Sequence, residues 1–151
     1  MTVEEIKGNI RYNEQLIDQL LREKNKLEAQ IDELDALKAK LANLQVSFES
    51  KQKYRQQKLS VLPGSGIQNR ALTRYYDGMN SLLSGSEFHS AYEGLSESKR
   101  AVSKEISNLY QQIDEHEESL LYRKDRLHYW KHQLQMKQAE LACTKATVGV
   151  E

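Results

Sequence analysis

The segment between Gly8 and Pro63 contains neither glycine nor proline, the two residues that most often end an α-helix. A chain without these interruptions can continue as one helix, and we predict a helix over residues 3–62, about 60 residues or roughly 90 Å long. The composition agrees, because 29% of the residues are charged and only 38% are hydrophobic, which is typical of long solvated helices.

The apolar residues of this first helix recur in alternating steps of three and four residues, the spacing of a coiled-coil seam. They are Ile6, Ile10, Ile17, Leu20, Leu27, Ile31 and Leu34, with Asn13 and Lys24 in the two gaps. Beyond Leu34 the same spacing would bring Lys38 and Gln45 into the seam, whereas one shortened step keeps the stripe apolar through Leu37, Leu41, Leu44 and Phe48. We therefore predict a stammer near Leu34–Leu37, with a stripe broadened for a third helix as the alternative.

The second half of the chain alternates the same steps without a slip from Phe88 to Leu141. This repeat predicts a second long helix over residues 86–143, with Ser86 as its N-cap and a disordered tail over residues 144–151.

Between the two repeats, Pro63, Gly64 and Gly66 predict a turn at residues 63–66. The residues that follow carry apolar side chains on one broad helical face, which predicts a short helix over residues 67–83. It is either a separate third helix or the bent beginning of the second long one.

Two apolar stripes of similar length joined by a short break favour antiparallel pairing, since a parallel pair would need a connection as long as the helices. The predicted fold is all-α, a single domain formed by a long antiparallel two-helix coiled-coil hairpin with a short additional helix near its tip. If the numbers of facing residues add up to about 150, then Leu20 faces Trp130, Ile31 faces Leu120, Leu41 faces Leu109 and Phe48 faces Val102. The seam then includes Leu20, Leu27, Ile31, Leu41, Phe48, Val102, Leu109, Leu120, Leu127 and Trp130.

A two-helix hairpin has little interior, so apolar side chains outside the seam predict a surface for a partner or for self-association. On the flanks of the helices and in the aromatic segment near the tip, these residues are Leu16, Leu21, Leu37, Tyr75, Tyr76, Met79, Phe88 and Tyr92.

We find no catalytic constellation, metal cage or cofactor motif, and we expect a protein that is not an enzyme and binds no cofactor. His128 and His132 are spaced to share one helical face, but two ligands do not close a zinc site. Equal numbers of basic and acidic residues, 22 each, disfavour nucleic-acid binding despite a basic-aromatic cluster of Arg70, Arg74, Tyr75 and Tyr76. No apolar run predicts membrane insertion. The single cysteine is interpreted as a tolerated thiol.

His116 falls in the predicted seam opposite Leu34, and two interpretations remain open. Either it is a polar residue that fixes the register together with Arg123, or its protonation places a charge against Leu34 and loosens the hairpin at acidic pH.

The layout of a long heptad helix, a Pro/Gly break, the aromatic segment Arg74–Met79 and a longer heptad helix resembles the small α-helical proteins encoded beside LXG toxins of Gram-positive type VII secretion systems. The YwqH-like family, related to the WXG100 group, is the most similar, and the resemblance covers about Ile6 to Leu141. The chain departs from that group at the turn, where Leu62-Pro63-Gly64 replaces Trp-x-Gly. Tyr110 and Asp114 match the spacing of the export motif of such systems but lie in the middle of a predicted helix.

The resemblance implies a targeting factor or chaperone that pairs with the helical N-terminal domain of a secreted LXG toxin, or with a second small helical protein. We expect a cytoplasmic location, with any export independent of a cleavable signal peptide. The alternatives are a self-assembling structural coiled-coil subunit and a prefoldin-like chaperone.

Overall fold

The computed structural model describes residues 1–61 and 70–149, and the only regular elements in these two ranges are α-helices. Helix α1 spans Val3–Ser60, α2 spans Arg70–Ser84 and α3 spans Ser86–Val148. The all-α fold class is therefore confirmed. The predicted turn at residues 63–66 and the first residues of the predicted short helix lie outside the described residues.

The N-terminus of α1 is closed by a capping box. The backbone N–H of Glu5 donates to Thr2 Oγ1 at 3.2 Å, and the Glu5 carboxylate accepts from the Thr2 nitrogen at 2.7 Å. These reciprocal bonds satisfy donors that the first turn of a helix leaves unpaired. They also lower the pKa of Glu5, and its negative charge is favourable at the positive end of the helix dipole.

The C-terminus of α3 extends further than the sequence predicts. The helix continues through Val148, so the prediction of a disordered tail is wrong for residues 144–148. Thr144 and Thr147 donate their hydroxyls to the carbonyls of Glu140 and Cys143, each at 2.9 Å. Neither glycine nor proline occurs between Cys143 and Gly149 to end the helix earlier.

Helices α2 and α3 are joined by a bend at one residue, Gly85, rather than by a loop. A Cβ atom at this position would overlap the carbonyl oxygen of Ser81, so the bend depends on glycine. The carbonyl of Gly85 accepts the first hydrogen bond of α3, from His89 N at 3.4 Å, and Gly85 thus stands at the N-cap position that the sequence assigns to Ser86.

The helices contribute to two compact units, and each of α1 and α3 has a segment in both. Unit 1 consists of Met1–Ile31 and Asn108–Glu151, and unit 2 of Asp32–Ser107.

Within unit 1, earlier residues of α1 contact later residues of α3, which is the order of an antiparallel pair. Glu14 forms an ion pair with Lys131 at 3.7 Å and Lys24 forms one with Glu117 at 3.1 Å. The hydrophobic side chains buried there are Ile6, Ile31, Leu109, Ile113 and Leu120. Asn13 is buried beside them, and its Nδ2 donates to the carbonyl of Asn9 at 2.8 Å, while its Oδ1 has no partner among the described residues.

Within unit 2, the apolar contact between α1 and α3 centres on a stack of Phe48 on Phe88, with ring centroids 4.7 Å apart. Helix α2 is held to α1 by Gln52, whose amide nitrogen donates to the carbonyl of Leu83. Only Leu59 and Gln45 are buried among the described residues of this unit.

The predicted stammer near Leu34–Leu37 is wrong. Gln45 is buried, whereas Leu44 is 58% exposed and Leu37 is 43% exposed, so the regular spacing continues without a shortened step. This position tolerates Gln45 because both polar atoms of its amide have a partner: Nε2 donates to Ser96 Oγ at 2.6 Å and Oε1 accepts from Lys99 Nζ at 3.2 Å.

The predicted register is also wrong. Phe48 stacks on Phe88 instead of facing Val102, and His116 bonds to Glu23 instead of facing Leu34. The numbers of these contacting residues add up to 136 and 139 instead of about 150, so α1 pairs with residues that lie earlier in α3 than the sequence argument placed them.

A double-mutant cycle tests the observed register. We expect Phe48→Leu and Phe88→Leu to show a coupling of about 0.5–1.5 kcal/mol in urea unfolding, because each substitution removes the same aromatic stack. The matched cycle of Phe48→Leu with Val102→Ala should show coupling near zero. If Phe48 is coupled to Val102 and not to Phe88, the observed register is contradicted and the register in which facing residues add up to about 150 is supported.

Glycine-to-alanine substitutions test the bend at Gly85. Gly78→Ala and Gly94→Ala should each stabilise the protein by about 0.5–1 kcal/mol, because alanine is the better helix former and nothing lies within 4 Å of either added methyl group. Gly85→Ala should instead destabilise it by about 1–3 kcal/mol, since the methyl group meets backbone. Denaturant unfolding followed by circular dichroism measures all three; stabilisation by Gly85→Ala would contradict the bend.

Candidate interaction surfaces

The aromatic residues predicted to meet a partner are divided by the structure between internal packing and exposure. Phe88 is half-buried between Phe48 and Tyr92. The ring centroids of Phe88 and Tyr92 lie 6.2 Å apart. Tyr76 and Met79 are half-buried on α2, whereas Tyr75 is 56% exposed. Part of the predicted surface therefore holds α2 and α3 in place, and Tyr75 remains outside.

An open groove of about 500 Å³ lies in unit 2 where all three helices meet. Its apolar floor is formed by Phe48, Met79, Leu82, Leu83 and Phe88. Its polar lining comprises Lys51, Gln52, Arg55 and Glu87. We refer to it as the unit 2 groove. Leu82, which the sequence argument did not select, is the most exposed of its apolar residues.

The leucines predicted to flank the seam differ in exposure. Leu21 and Leu37 are exposed, whereas Leu16 is half-buried. The seam residues Ile31, Leu109 and Leu120 are buried. The other predicted seam residues are half-buried, namely Leu20, Leu27, Leu41, Phe48, Val102, Leu127 and Trp130.

A second groove, of about 430 Å³, lies in unit 1 between α1 and α3, and we call it the unit 1 groove. Leu16, Leu20, Tyr122 and Arg123 line it, together with Gln19, Glu23, Glu118 and Ser119. Sequence reasoning missed the aromatic part of this region. The signal was available, because Tyr122, Tyr129 and Met136 recur every seven residues on α3 and all three are exposed.

Two arginines of α3 lie over aromatic rings beside the unit 1 groove. The guanidinium carbon of Arg123 is 5.7 Å from the ring centre of Tyr12 and 5.3 Å from that of Tyr122. Arg126 lies 5.0 Å from Tyr129 and 5.4 Å from Trp130. These cation–π contacts hold the guanidinium groups at the surface, and neither arginine forms an ion pair within the described residues.

His116 joins the two helices of unit 1 through both of its ring nitrogens. Nδ1 lies 2.7 Å from the carbonyl oxygen of Gln112, and Nε2 lies 2.9 Å from the carboxylate of Glu23. Only the protonated ring can donate to both acceptors. The bond to Gln112, followed by the bond to Glu23, therefore raises the pKa of His116, and the bond from His116 lowers the pKa of Glu23.

This geometry reverses the predicted effect of acid at His116. Protonation places the new charge beside Glu23 rather than against Leu34, so acid strengthens the contact until the carboxylate itself is protonated.

The pair predicts a pH-dependent stability. A raised folded-state pKa contributes stability that is fully present below the ordinary value of 6.5 and is lost as the pH rises through the folded-state value. We expect the melting temperature to fall as the pH rises above about 6.5, and to fall less in Glu23→Gln. The exposed residue His128 provides the control, because His128→Gln should leave the wild-type pH dependence intact. A Glu23→Gln variant with the wild-type profile would contradict the pairing.

The remaining candidate residues form no site. His128 and His132 are exposed, and no group of three or more metal-ligating side chains occurs within residues 1–61 and 70–149. Tyr110 and Asp114 are exposed within α3. Cys143 is exposed and unpaired by disulfide. None of the described helices is both long and apolar enough to cross a membrane.

Comparison with known proteins gives no relative. No protein-family model matches the sequence, and neither a curated protein nor a solved structure is significantly similar to the chain.

Proposed function

We propose that this chain is a non-enzymatic helical binding protein that pairs with the helical N-terminal domain of a type VII-secreted LXG toxin and acts as its targeting factor or chaperone. The proposal joins the architectural resemblance described above to the unit 2 groove.

The observation that carries the binding role is the imbalance between buried and exposed apolar side chains in unit 2. Among its described residues only one hydrophobic side chain, Leu59, is buried. Seven large ones are exposed, namely Leu37, Leu44, Val46, Tyr54, Val61, Tyr75 and Leu82. Exposed apolar side chains gain hydrophobic stabilisation when a partner covers them.

A helical partner suits this surface better than an extended peptide. Within the described residues unit 2 has no strand to offer a free edge for strand addition, whereas the groove between helices accepts side chains spaced at i, i+3, i+4 and i+7. Lys51 and Arg55 on its lining favour a partner helix that carries carboxylates beside its apolar stripe.

We further propose that α1 and α3 pair as an antiparallel coiled-coil hairpin. Support comes from the buried residues Asn13, Ile31 and Gln45 of α1, whose spacings of 18 and 14 residues fit a run of alternating three- and four-residue steps. The antiparallel order of the contacts inside each unit supports the same pairing. A prefoldin-like chaperone is less well supported, because prefoldins carry β-hairpins in the middle segment, where this chain has α2.

Co-expression with the LXG protein encoded beside this chain tests the pairing. The two proteins should co-elute as one complex at micromolar concentration, and separate elution would refute the toxin-partner role.

Leucine variants locate the binding surface. Leu82→Glu should weaken the complex at least about tenfold in a titration, because it places a charge on the apolar floor of the unit 2 groove. Leu121→Glu is the matched control, since Leu121 is also exposed but lies in unit 1 and lines neither groove. A complex that withstands Leu82→Glu, or that loses equal affinity through Leu121→Glu, would show that the partner binds elsewhere.

A further inference from the structure

One face of α3 in unit 1 combines charge and exposed aromatic surface. Glu115, Ser119, Tyr122 and Arg126 follow one another at three- or four-residue steps, which places them on the same side of the helix. Ser119 and Tyr122 line the unit 1 groove, and Tyr122 is 57% exposed. This face shares no residue with the unit 2 groove.

The charged groups of this face have no ionic partners within the described part of the chain. Glu115, Glu118, Arg123 and Arg126 form no ion pair there, although Glu14, Glu23 and Lys24 elsewhere in unit 1 do so across the two helices. Both arginines are held over aromatic rings, so little side-chain entropy would be lost when a carboxylate binds them.

The signs of these charges reverse about a single point of α3. Glu118 and Arg123 are equally far from the midpoint between Leu120 and Leu121, and so are Glu115 and Arg126. An identical α3 laid antiparallel across that midpoint brings Arg126 opposite Glu115, and the two-fold axis makes this pair twice, whereas Glu118 and Arg123 lie at opposite edges of the face and do not meet.

The steric pattern has the same symmetry. Ser119 and Tyr122 are also equidistant from the midpoint, so each Tyr122 ring of the assembly would meet the small side chain of a Ser119. The apolar side chains beside it, Leu16 and Leu20, would then be covered on both copies.

We propose that the unit 1 groove is a self-association surface, on which a second copy of this chain docks antiparallel through α3. A heterologous acidic helix would use the two arginines but would place its carboxylates beside Glu115 and Glu118. A second copy pairs Glu115 with Arg126 at both ends of the contact, so charge complementarity favours it. The resulting layer-on-layer contact is a four-helix arrangement with isologous symmetry.

Charge-swap variants of the complete chain test this proposal. Arg126→Glu and Glu115→Arg should each weaken the dimer by about 100-fold or more, because either reversal sets like charges opposite one another twice. An equimolar mixture of the two variants should recover dimers, since the carboxylate introduced at position 126 of one copy then meets the guanidinium introduced at position 115 of the other. Analytical ultracentrifugation at about 50 µM reads out all three samples.

Lys124→Glu is the control reversal, because Lys124 is exposed on the same helix but is not three or four residues from Ser119, Tyr122 or Arg126, and so lies on another face. It should leave the dimer intact, and circular dichroism should show unchanged helix content in every variant. A monomeric wild type, or a dimer unaffected by Arg126→Glu, would overturn the proposal. So would a mixture in which the two variants remain monomeric. Toxin binding through the unit 2 groove is measured separately by the Leu82→Glu titration, so either proposal can fail alone.

Discussion

The narrowness of the apolar seam is the constraint on which the other features depend. A stripe that alternates three- and four-residue steps buries each residue mainly against one neighbouring helix, so few side chains become fully enclosed. Within the described residues only six hydrophobic side chains are buried, while seventeen large ones remain exposed. Exposed apolar surface is therefore a direct result of how the chain folds.

Polar residues in the seam provide much of the specificity. Gln45 is paired with Ser96 and Lys99, and His116 is paired with Glu23. A leucine would fit many positions along an apolar stripe almost equally well. A buried amide is tolerated only at a position where the facing helix provides hydrogen-bond partners for it. These contacts therefore determine where α1 and α3 meet within each unit, at a cost in apolar burial.

The sequence predicts the helices far better than it predicts their pairing. Two local signals locate α1 and α3 to within a few residues at most ends. One is the scarcity of glycine and proline, and the other is the apolar repeat. Pairing depends on distant contacts: Phe88 and Val102 are both seam positions two heptads apart, so apolar spacing alone cannot distinguish which of them meets Phe48. The prediction of a stammer is wrong for a related reason. Gln45 is unexpected in an apolar stripe unless its partners on α3, Ser96 and Lys99, are known.

Among the predicted surface residues, Leu21, Leu37 and Tyr75 are exposed. The prediction overlooked Leu82 and the Tyr122-Tyr129-Met136 repeat because it sought flanking leucines and one aromatic cluster.

The bend at Gly85 sets the direction of the backbone without contributing to the side chains that line the grooves. The direction in which α2 leaves α3 is encoded by a residue that contributes no side chain to either groove, while the side chains of both grooves reside on helices whose backbone is regular. Substitutions that change the side chains lining a groove can therefore accumulate without altering the path of the backbone. The junction of α2 and α3, by contrast, has room for only a hydrogen atom at Gly85, where every other amino acid carries a carbon.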